Sequence, residues 1–358
     1  MAYSRAKADD MKGNKFPSSA MSGKSEPYEA KYEDFYANKA TVSGLEPDTE
    51  YCYMVGNGNE WSAVKRFWTP EEGELEVLVT GDIQLGTGDN DKENVKRWKK
   101  VVKETVKRFP DYDLHLNMGD VTYSPEDEYY PRVLNTDIFT NYPTGVVRGN
   151  HDRGKPFQQH FSQPNQSTEW GIKGDKVETN YWYRYGDVLF FYLNYEIDGI
   201  DIQLDHLYFM QEVIEANPDC KWKVAMMHYS PFSSVAKYQD YGNENREDLM
   251  IAYKEAGIDV VLAGHDHAYT RSHIINNGQI IASDASSVTN PDGTLYLTFS
   301  SSSGSQYHDP MENPWAAKTI QTRTPHVSSM KFTDNKMKLE VYDAQSWEVI
   351  DTFEIIKE

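Results

Sequence analysis

The first readable pattern along the chain is short-period alternation. In residues 40–56, A-T-V-S-G-L-E-P-D-T-E-Y-C-Y-M-V-G, the spacing predicts a strand, a Pro47-Asp48 turn and a second strand whose Tyr51, Tyr53 and Val55 share one face. A further short strand is expected over 63–68, ended by Thr69-Pro70. This is the pattern of a small β-sandwich, a unit that usually needs roughly 100 residues. The domain is therefore expected to be short at its start. Either its first strands are missing, which would leave an exposed sheet edge, or the opening residues pack irregularly.

From Glu74 the pattern changes. Apolar runs predict strands over 75–80, 114–118, 144–148, 188–194, 222–227 and 259–262. Between them, Val95, Trp98, Val101, Val102, Val106 and Phe109 recur at helical spacing over 91–109, and further helices are expected over 202–216 and 246–256. Such alternation predicts an α/β layer. After Ile274 the chain turns β-rich again, over 279–282, 294–299, 327–332, 336–342 and 348–355.

Polar clusters follow the apolar runs. They are Gly81-Asp82, then Gly119-Asp120-Val121-Thr122-Tyr123, then Gly149-Asn150-His151-Asp152, then His228, and finally A-G-H-D-H-A-Y-T-R from Ala263 to Arg271. In an open α/β sheet the carboxyl ends of the strands are where sites are assembled. Taken singly, Asp82 reads as a turn residue, Tyr123 as a packed aromatic and His228 as a core histidine. Taken together, Asp82, Asp120, Tyr123, Asn150, His228, His265 and His267 offer carboxylate, phenol and amide oxygens with imidazoles and no thiolate. That set suits iron, zinc or manganese. It is too large for one tetrahedral ion, and it suits two adjacent ions if one carboxylate bridges, Asp120 being the candidate. Two ions ~3.5–4 Å apart clamp both ends of an in-line phosphoryl displacement.

In order and spacing, G-D-I-Q at Gly81, G-D-V-T-Y at Gly119, G-N-H-D at Gly149, His228 and G-H-D-H-A-Y at Gly264 resemble the five blocks of the calcineurin-like metallophosphoesterases. Tyr123 narrows the resemblance to the purple acid phosphatases. The G-L-x-P-x-T-x-Y pattern at Gly44–Tyr51 resembles the second half of a fibronectin type III-like domain. The resemblance implies an α/β fold, a four-layer metallophosphoesterase β-sandwich flanked by helices, over residues 71–358. An incomplete fibronectin type III-like domain would occupy residues 1–70. It also implies that Asp82, Asp120, Tyr123 and His267 hold Fe(III), while Asp120, Asn150, His228 and His265 hold a divalent Fe, Zn or Mn. A phenolate needs a highly charged metal to stay ionised well below its own pKa of ~10, and its contact with iron would colour the protein.

His151 matches a histidine that binds the phosphate or positions the leaving group. Plant members carry further histidines about ten residues beyond the His228 position, where residues 229–239 here have none. Lys237, or Tyr238, is the candidate substitute beside His151 and Asp120 in the catalytic set. A solvated loop lysine is the alternative, since Lys is a poor acid at low pH unless burial depresses its pKa. His160 is a candidate for a supporting contact near the G-N-H-D block. Asp89-Asn90-Asp91 reads as a helix cap rather than a calcium site.

The implied reaction is phosphomonoester hydrolysis by in-line attack of hydroxide generated on the metals, acting on a small phosphorylated substrate. The alternatives are a phosphodiesterase or nucleotide-cleaving enzyme with the same site, and a non-catalytic interaction protein, whose usual sign is a lost ligand. A formal net charge of −20 argues against a nucleic-acid polymer or an anionic membrane as partner. No apolar run is long enough for a transmembrane helix. Cys52 and Cys220 read as two isolated thiols. The first residues lack the apolar core of a signal peptide. The resemblance nevertheless implies an extracytoplasmic or secreted protein, with a cytoplasmic one as the alternative.

Overall fold

The computed structural model describes residues 2–5, 22–27, 36–57, 59–71, 73–87, 91–124, 129–171, 180–195, 202–282 and 286–358. Asp89 and Asn90 of the possible cap lie outside them.

The N-terminal segment holds β1 (Ala2–Arg5), β2 (Lys24–Pro27), β3 (Tyr36–Lys39), β4 (Thr49–Met54) and β5 (Lys65–Thr69). β4 runs antiparallel between β1 and β5, and β2 pairs with β3. The strand expected at the start of residues 40–56 does not form. Both edges of β4 are already taken, so that stretch has no ladder to join, and Gly44 turns it with a φ of 72°. The opening residues thus cover one edge of β4 through β1, whereas the expectation was either missing first strands and an exposed edge or irregular packing. Tyr51 stacks on Phe67 with centroids 5.6 Å apart. The segment docks on the following layer through Tyr53, whose hydroxyl donates to the Thr140 carbonyl at 2.7 Å, and through Lys65, 3.3 Å from Asp137.

Next come β6 (Glu74–Thr80), α1 (Asp91–Arg108), β7 (Leu114–Asn117), α2 (Tyr130–Leu134), α3 (Asp137–Thr140), β8 (Thr144–Val146) and α4 (Lys155–His160). They are followed by β9 (Tyr181–Tyr185), β10 (Val188–Tyr192), α5 (Ile202–Ala216), β11 (Trp222–Met226), α6 (Gln239–Glu255) and β12 (Val260–Ala263). The β-rich end holds β13 (Tyr269–Asn276), β14 (Gln279–Ala282), β15 (Ser287–Thr289), β16 (Thr294–Thr298), β17 (Ala316–Ile320), β18 (His326–Thr333), β19 (Lys336–Asp343) and β20 (Val349–Ile356).

These strands form two sheets. One is seven-stranded, β15-β20-β19-β18-β6-β7-β8, and the other eight-stranded, β14-β13-β16-β12-β11-β10-β9 with β17 on β13. Their inner faces meet through Val77, Leu116, Phe190, Val224, Leu262 and Met330. On the outside, α5 and α6 cover the eight-stranded sheet with Met210, Leu249 and Tyr253, while α1 to α4 cover the seven-stranded one with Trp98, Tyr130, Ile138 and Phe157. The result is the four-layer α/β/β/α arrangement that the sequence implied. β6, β7 and β8 run parallel, as do β10, β11, β12 and β16. β7 and β12 are buried throughout, as the middle of a covered parallel sheet requires.

Two departures have physical causes. α6 begins at Gln239 rather than at 246, continuing from a short 3-10 turn at Ala236–Tyr238 through a polar stretch that carries no apolar periodicity. β13, Y-T-R-S-H-I-I-N, lacks the apolar run expected of a buried strand, yet it is buried because Arg271 is paired inside the fold. The Arg271 Nε and Nη2 donate to Asp351 at 2.7 and 3.1 Å, and Tyr269 donates to the same carboxylate. Cys52 and Cys220 are buried, free thiols. Among the described residues no helix is long and apolar enough to cross a membrane.

Candidate metal centre

The carboxyl ends of β6, β7, β8, β11 and β12 meet at one edge of the two sheets, and each is followed by one of the polar clusters. Asp82, Asp120, His265 and His267 all hold left-handed backbones, with φ of 48°, 51°, 73° and 51°. Non-glycine residues pay a strain for this, and they keep it where the surroundings over-determine the geometry. The loops lie close enough that a side chain at Gly149 would sit 2.1 Å from Asp120 Oδ1.

Asp82, Asp120, His228, His265 and His267 are brought together and buried. His228 Nε2 lies 3.3 Å from Asp120 Oδ2, and His267 Nε2 lies 3.5 Å from Asp82 Oδ1. The His265 backbone N–H donates to both Asp82 oxygens at 3.1 Å. One ligand atom each from Asp120, His228 and His265 falls within 4.8 Å of the others, a spacing that could hold a metal ion. Asn150 lines the same cavity with its Oδ1 buried and without a hydrogen-bond partner among the described residues. Tyr123 is the candidate ligand that stays at the surface. It is 40% exposed, and its ring stacks on His151 with centroids 4.7 Å apart.

The imidazoles are aimed by carbonyls. His228 Nδ1 donates to the Met118 carbonyl at 2.6 Å, His267 Nδ1 to that of Gln306 at 3.1 Å and His151 Nδ1 to that of Tyr123 at 2.6 Å. Each bond fixes a tautomer and leaves the Nε2 lone pair free, the usual way a protein orients a metal-binding histidine. The acidic neighbours within the motifs brace the loops. Asp152 accepts the N–H groups of Gly149 and Val121, both at 3.0 Å. Asp266 accepts the Ser233 hydroxyl at 2.9 Å and the Ser234 N–H at 3.0 Å.

Charge in this cluster is poorly balanced by the protein alone. Burial pushes the Asp82 carboxyl well above its usual range, with Asp120 adding to the effect. For Asp120 burial acts the same way, but the charge of His228 and contacts with His151 outweigh it and hold the carboxyl below its usual range. Burial would lower His228, yet Asp120 and Asp82 raise it to about 9. Burial lowers His267 to about 3 and His265 well below its usual value. A bound cation would let both carboxylates ionise while the imidazoles stay neutral, so the donor set fits a metal.

A cavity of about 320 Å³ opens over these groups. Asp120, Asn150, His265 and His267 line it, as do His151, Lys237 and Tyr238. Lys237 is exposed, its Nζ lies 4.4 Å from the Tyr238 ring centroid, and burial lowers its pKa somewhat. The His265 ring sits between Tyr229 and Tyr238, at centroid distances of 4.0 and 3.9 Å. His160 is elsewhere, against Tyr130 in the helix layer at 4.1 Å, and is not among the residues lining the cavity.

Sequence reading missed the serine loop after β16. Ser301 Oγ donates to the Asp82 carbonyl at 2.7 Å, and Ser302 N–H donates to the Gly81 carbonyl at 2.9 Å. A run of small polar residues gives no sign of being buried, so only its place after a sheet strand could have marked it.

Residues 75–269 match the model of the calcineurin-like phosphoesterases, and residues 3–69 match that of the purple acid phosphatase N-terminal domain. Purple acid phosphatase 21 of Arabidopsis thaliana is 26% identical over 275 residues, which cover 72% of this chain and 56% of that protein. Acid phosphatase type 7 of Mus musculus is 23% identical over 321 residues, covering 80% of this chain and 69% of that one. A purple acid phosphatase from yellow lupin seeds superposes with a TM-score of 0.70 at 18% identity, over 88% of this chain and 61% of that chain. The chain thus spans little more than half of the plant relative's length. The anchor in the inner membrane complex of Plasmodium also shares the fold, with a TM-score of 0.53 at 15% identity over 78% of this chain and 88% of that one.

Proposed function

Since the chain belongs to the calcineurin-like phosphoesterase family and is purple acid phosphatase-like within it, we propose that it hydrolyses phosphomonoesters at a two-metal centre. The proposed ligands are Asp82, Asp120, Tyr123, Asn150, His228, His265 and His267, with Asp120 shared between an Fe(III) and a divalent Fe, Zn or Mn. In this reading residues 71–358 are the catalytic unit and residues 1–70 an accessory fibronectin type III-like domain. The observation that carries it is the convergence of Asp120, His228 and His265 within 4.8 Å of one another beneath an open cavity.

When bound, the two cations neutralise charge at phosphorus and lower the pKa of a water molecule. The chain's own groups do the rest. His151 spends Nδ1–H on the Tyr123 carbonyl, so the protonated ring would turn its Nε2–H to a phosphoryl oxygen or the leaving group. Lys237, at the cavity and exposed, supplies a positive charge for a phosphate dianion. Asn150 offers an oxygen with no hydrogen-bond partner among the described residues. The volume over these groups suits a small phosphorylated molecule rather than a polymer.

The anchor protein of Plasmodium warns that the fold alone does not decide function. The test is therefore turnover. The purified protein, loaded with iron and zinc, is assayed on a chromogenic phosphate monoester and its diester across about pH 4 to 9, with Asp120→Asn as the blank. The expected result is monoester preference that vanishes in the blank. Preferential diester turnover would reassign it as a phosphodiesterase, and no turnover with both ions bound would contradict catalysis.

A further inference from the structure

The turn between β12 and β13, which carries His265 and His267, is held against the segment between β16 and β17 by bonds that run both ways. His267 Nδ1 donates to the Gln306 carbonyl at 3.1 Å, and His308 Nδ1 donates to the Asp266 carbonyl at 3.1 Å. Gln306 is also part of the cavity lining. The aim of the His267 ring and the place of this wall therefore depend on each other.

Gln321 closes this arrangement from a third side. β17 pairs antiparallel with β13, with Ile320 opposite Tyr269, so the chain leaves β17 beside the His267 turn. There Gln321 Nε2 donates to the His267 carbonyl at 2.8 Å and to the His308 carbonyl at 2.7 Å, while its Oε1 accepts the Arg323 N–H at 2.8 Å. One amide group thus places its two N–H donors on two different loops of the site and its oxygen on a third segment. Arg323 holds a left-handed backbone with a φ of 55°, a conformation that persists only where the surroundings fix it, and its guanidinium meets Asp309, the residue after His308, at 2.5 Å. A hydrogen bond is directional, so an N–H set on the His267 carbonyl fixes the tilt of that peptide and with it the direction in which the ring leaves the backbone.

Resting on the two-metal reading above, we infer that Gln321 is a positioning residue for the reaction. It holds the peptide of His267 and the wall at Gln306 and His308 in one register, so that the imidazole keeps its aim while the cavity keeps its shape. Gln321 is not among the residues lining the cavity, and it acts through these two loops.

The test compares Gln321→Met, Gln321→Lys and Tyr112→Phe with wild type, all as full chains. Methionine keeps the length of the side chain without its donors, whereas lysine keeps donors that can reach both carbonyls. Tyr112→Phe gives up a buried hydrogen bond to Ser329, before β7 and at the opposite end of that strand from Asp120, so it reports what lost stability does by itself. Contacts that orient a metal-binding side chain from outside typically matter by about 10–100-fold in metal affinity or activity. Gln321→Met should therefore lower kcat on a chromogenic phosphate monoester by about 10–100-fold, with KM moving less. Zinc titrated into the chelator-stripped protein against a chromogenic competitor should bind about tenfold or more weakly at one site. Gln321→Lys should recover most of both losses, and Tyr112→Phe should show neither, while melting of the metal-free forms checks that each variant folds. Wild-type kcat and zinc affinity in Gln321→Met would overturn the inference. So would a Gln321→Lys as impaired as Gln321→Met, because the donors would then not matter, and so would equal losses in Gln321→Met and Tyr112→Phe, which would reduce the effect to destabilisation. If wild type itself neither binds zinc nor turns over the ester, the two-metal reading fails and this inference falls with it. An active wild type beside an unaltered Gln321→Met sinks this inference only.

Discussion

The two sheets bring different chemistry to their shared edge and hold it by different means. The seven-stranded sheet delivers oxygens: Asp82 after β6, Asp120 after β7 and Asn150 after β8. The eight-stranded sheet delivers nitrogens: His228 after β11, and His265 and His267 after β12. On the oxygen side the loops are tied to one another through their backbones. The Asp82 N–H bonds to the Gly119 carbonyl at 3.0 Å, the Tyr123 N–H bonds to that of Leu85 at 3.0 Å, and Ser301 clasps the Asp82 carbonyl from a third loop. On the nitrogen side, His228 and His267 are each steered through a ring N–H onto a carbonyl elsewhere. Close backbone approach therefore limits the oxygen half, while ring orientation limits the imidazole half.

The sharpest way to break the oxygen half is steric. Gly149→Ala adds a Cβ 2.1 Å from Asp120 Oδ1 and 2.3 Å from its backbone nitrogen. A shift of this kind should cost about 3 kcal/mol or more in stability, read by denaturant unfolding, and should take metal retention with it. Gly264→Ala, on the imidazole side, brings a Cβ to 2.7 Å from Asp82 Oδ2, so it should cost less. Equal costs would argue against the division drawn here.

A milder test uses the opposite end of β7. Burial, with Glu74, Glu71 and Asp48 adding, raises Asp113 to about 7. Its folded pKa thus exceeds its unfolded value of ~3.9, so the unfolded chain ionises first and stability is lost as pH rises from about 4 to 7. Asp113→Asn removes that loss. Its thermal unfolding should match wild type near pH ~4 and exceed it by about 1–2 kcal/mol near pH ~8, after allowance for partial solvent screening. Metal content should not change, because Asp113 is at the far end of the strand from Asp120. The smallest expected effect is that of Ser301→Ala, which gives up the hydroxyl's hydrogen bond to the Asp82 carbonyl and the one it accepts from the Gly304 N–H, and should lower stability by about 1 kcal/mol. If the clasp matters to the site, metal affinity should fall with it.

This division also explains what could be read from the sequence. His265 and His267 were legible because two imidazoles one residue apart after an apolar run are rare outside a site. Asp82 was legible only through its company, since a Gly-Asp pair by itself marks a turn. Alternating apolar runs predicted an α/β layer and the family resemblance implied the four-layer order, and five of the seven expected ligands, Asp82, Asp120, His228, His265 and His267, lie buried in the cluster. Ser301 could not be recognised, because buried hydroxyls look like a surface run until the third loop is placed. The strand expected near residue 42 failed for a tertiary reason, as β1 and β5 occupy both edges of β4. β13 was hidden by Arg271, a charge that burial tolerates only because Asp351 meets it.

The most direct measurement is the metal content per chain, after loading with iron and zinc and removal of excess, of the wild-type protein and of Asp120→Asn. Asp120 is in contact with both halves, bonded to His151 and Gln84 on the oxygen side and 3.3 Å from His228 on the other. The account predicts two ions per chain in wild type and loss of metal in the variant. An Asp120→Asn protein that keeps both ions would contradict it.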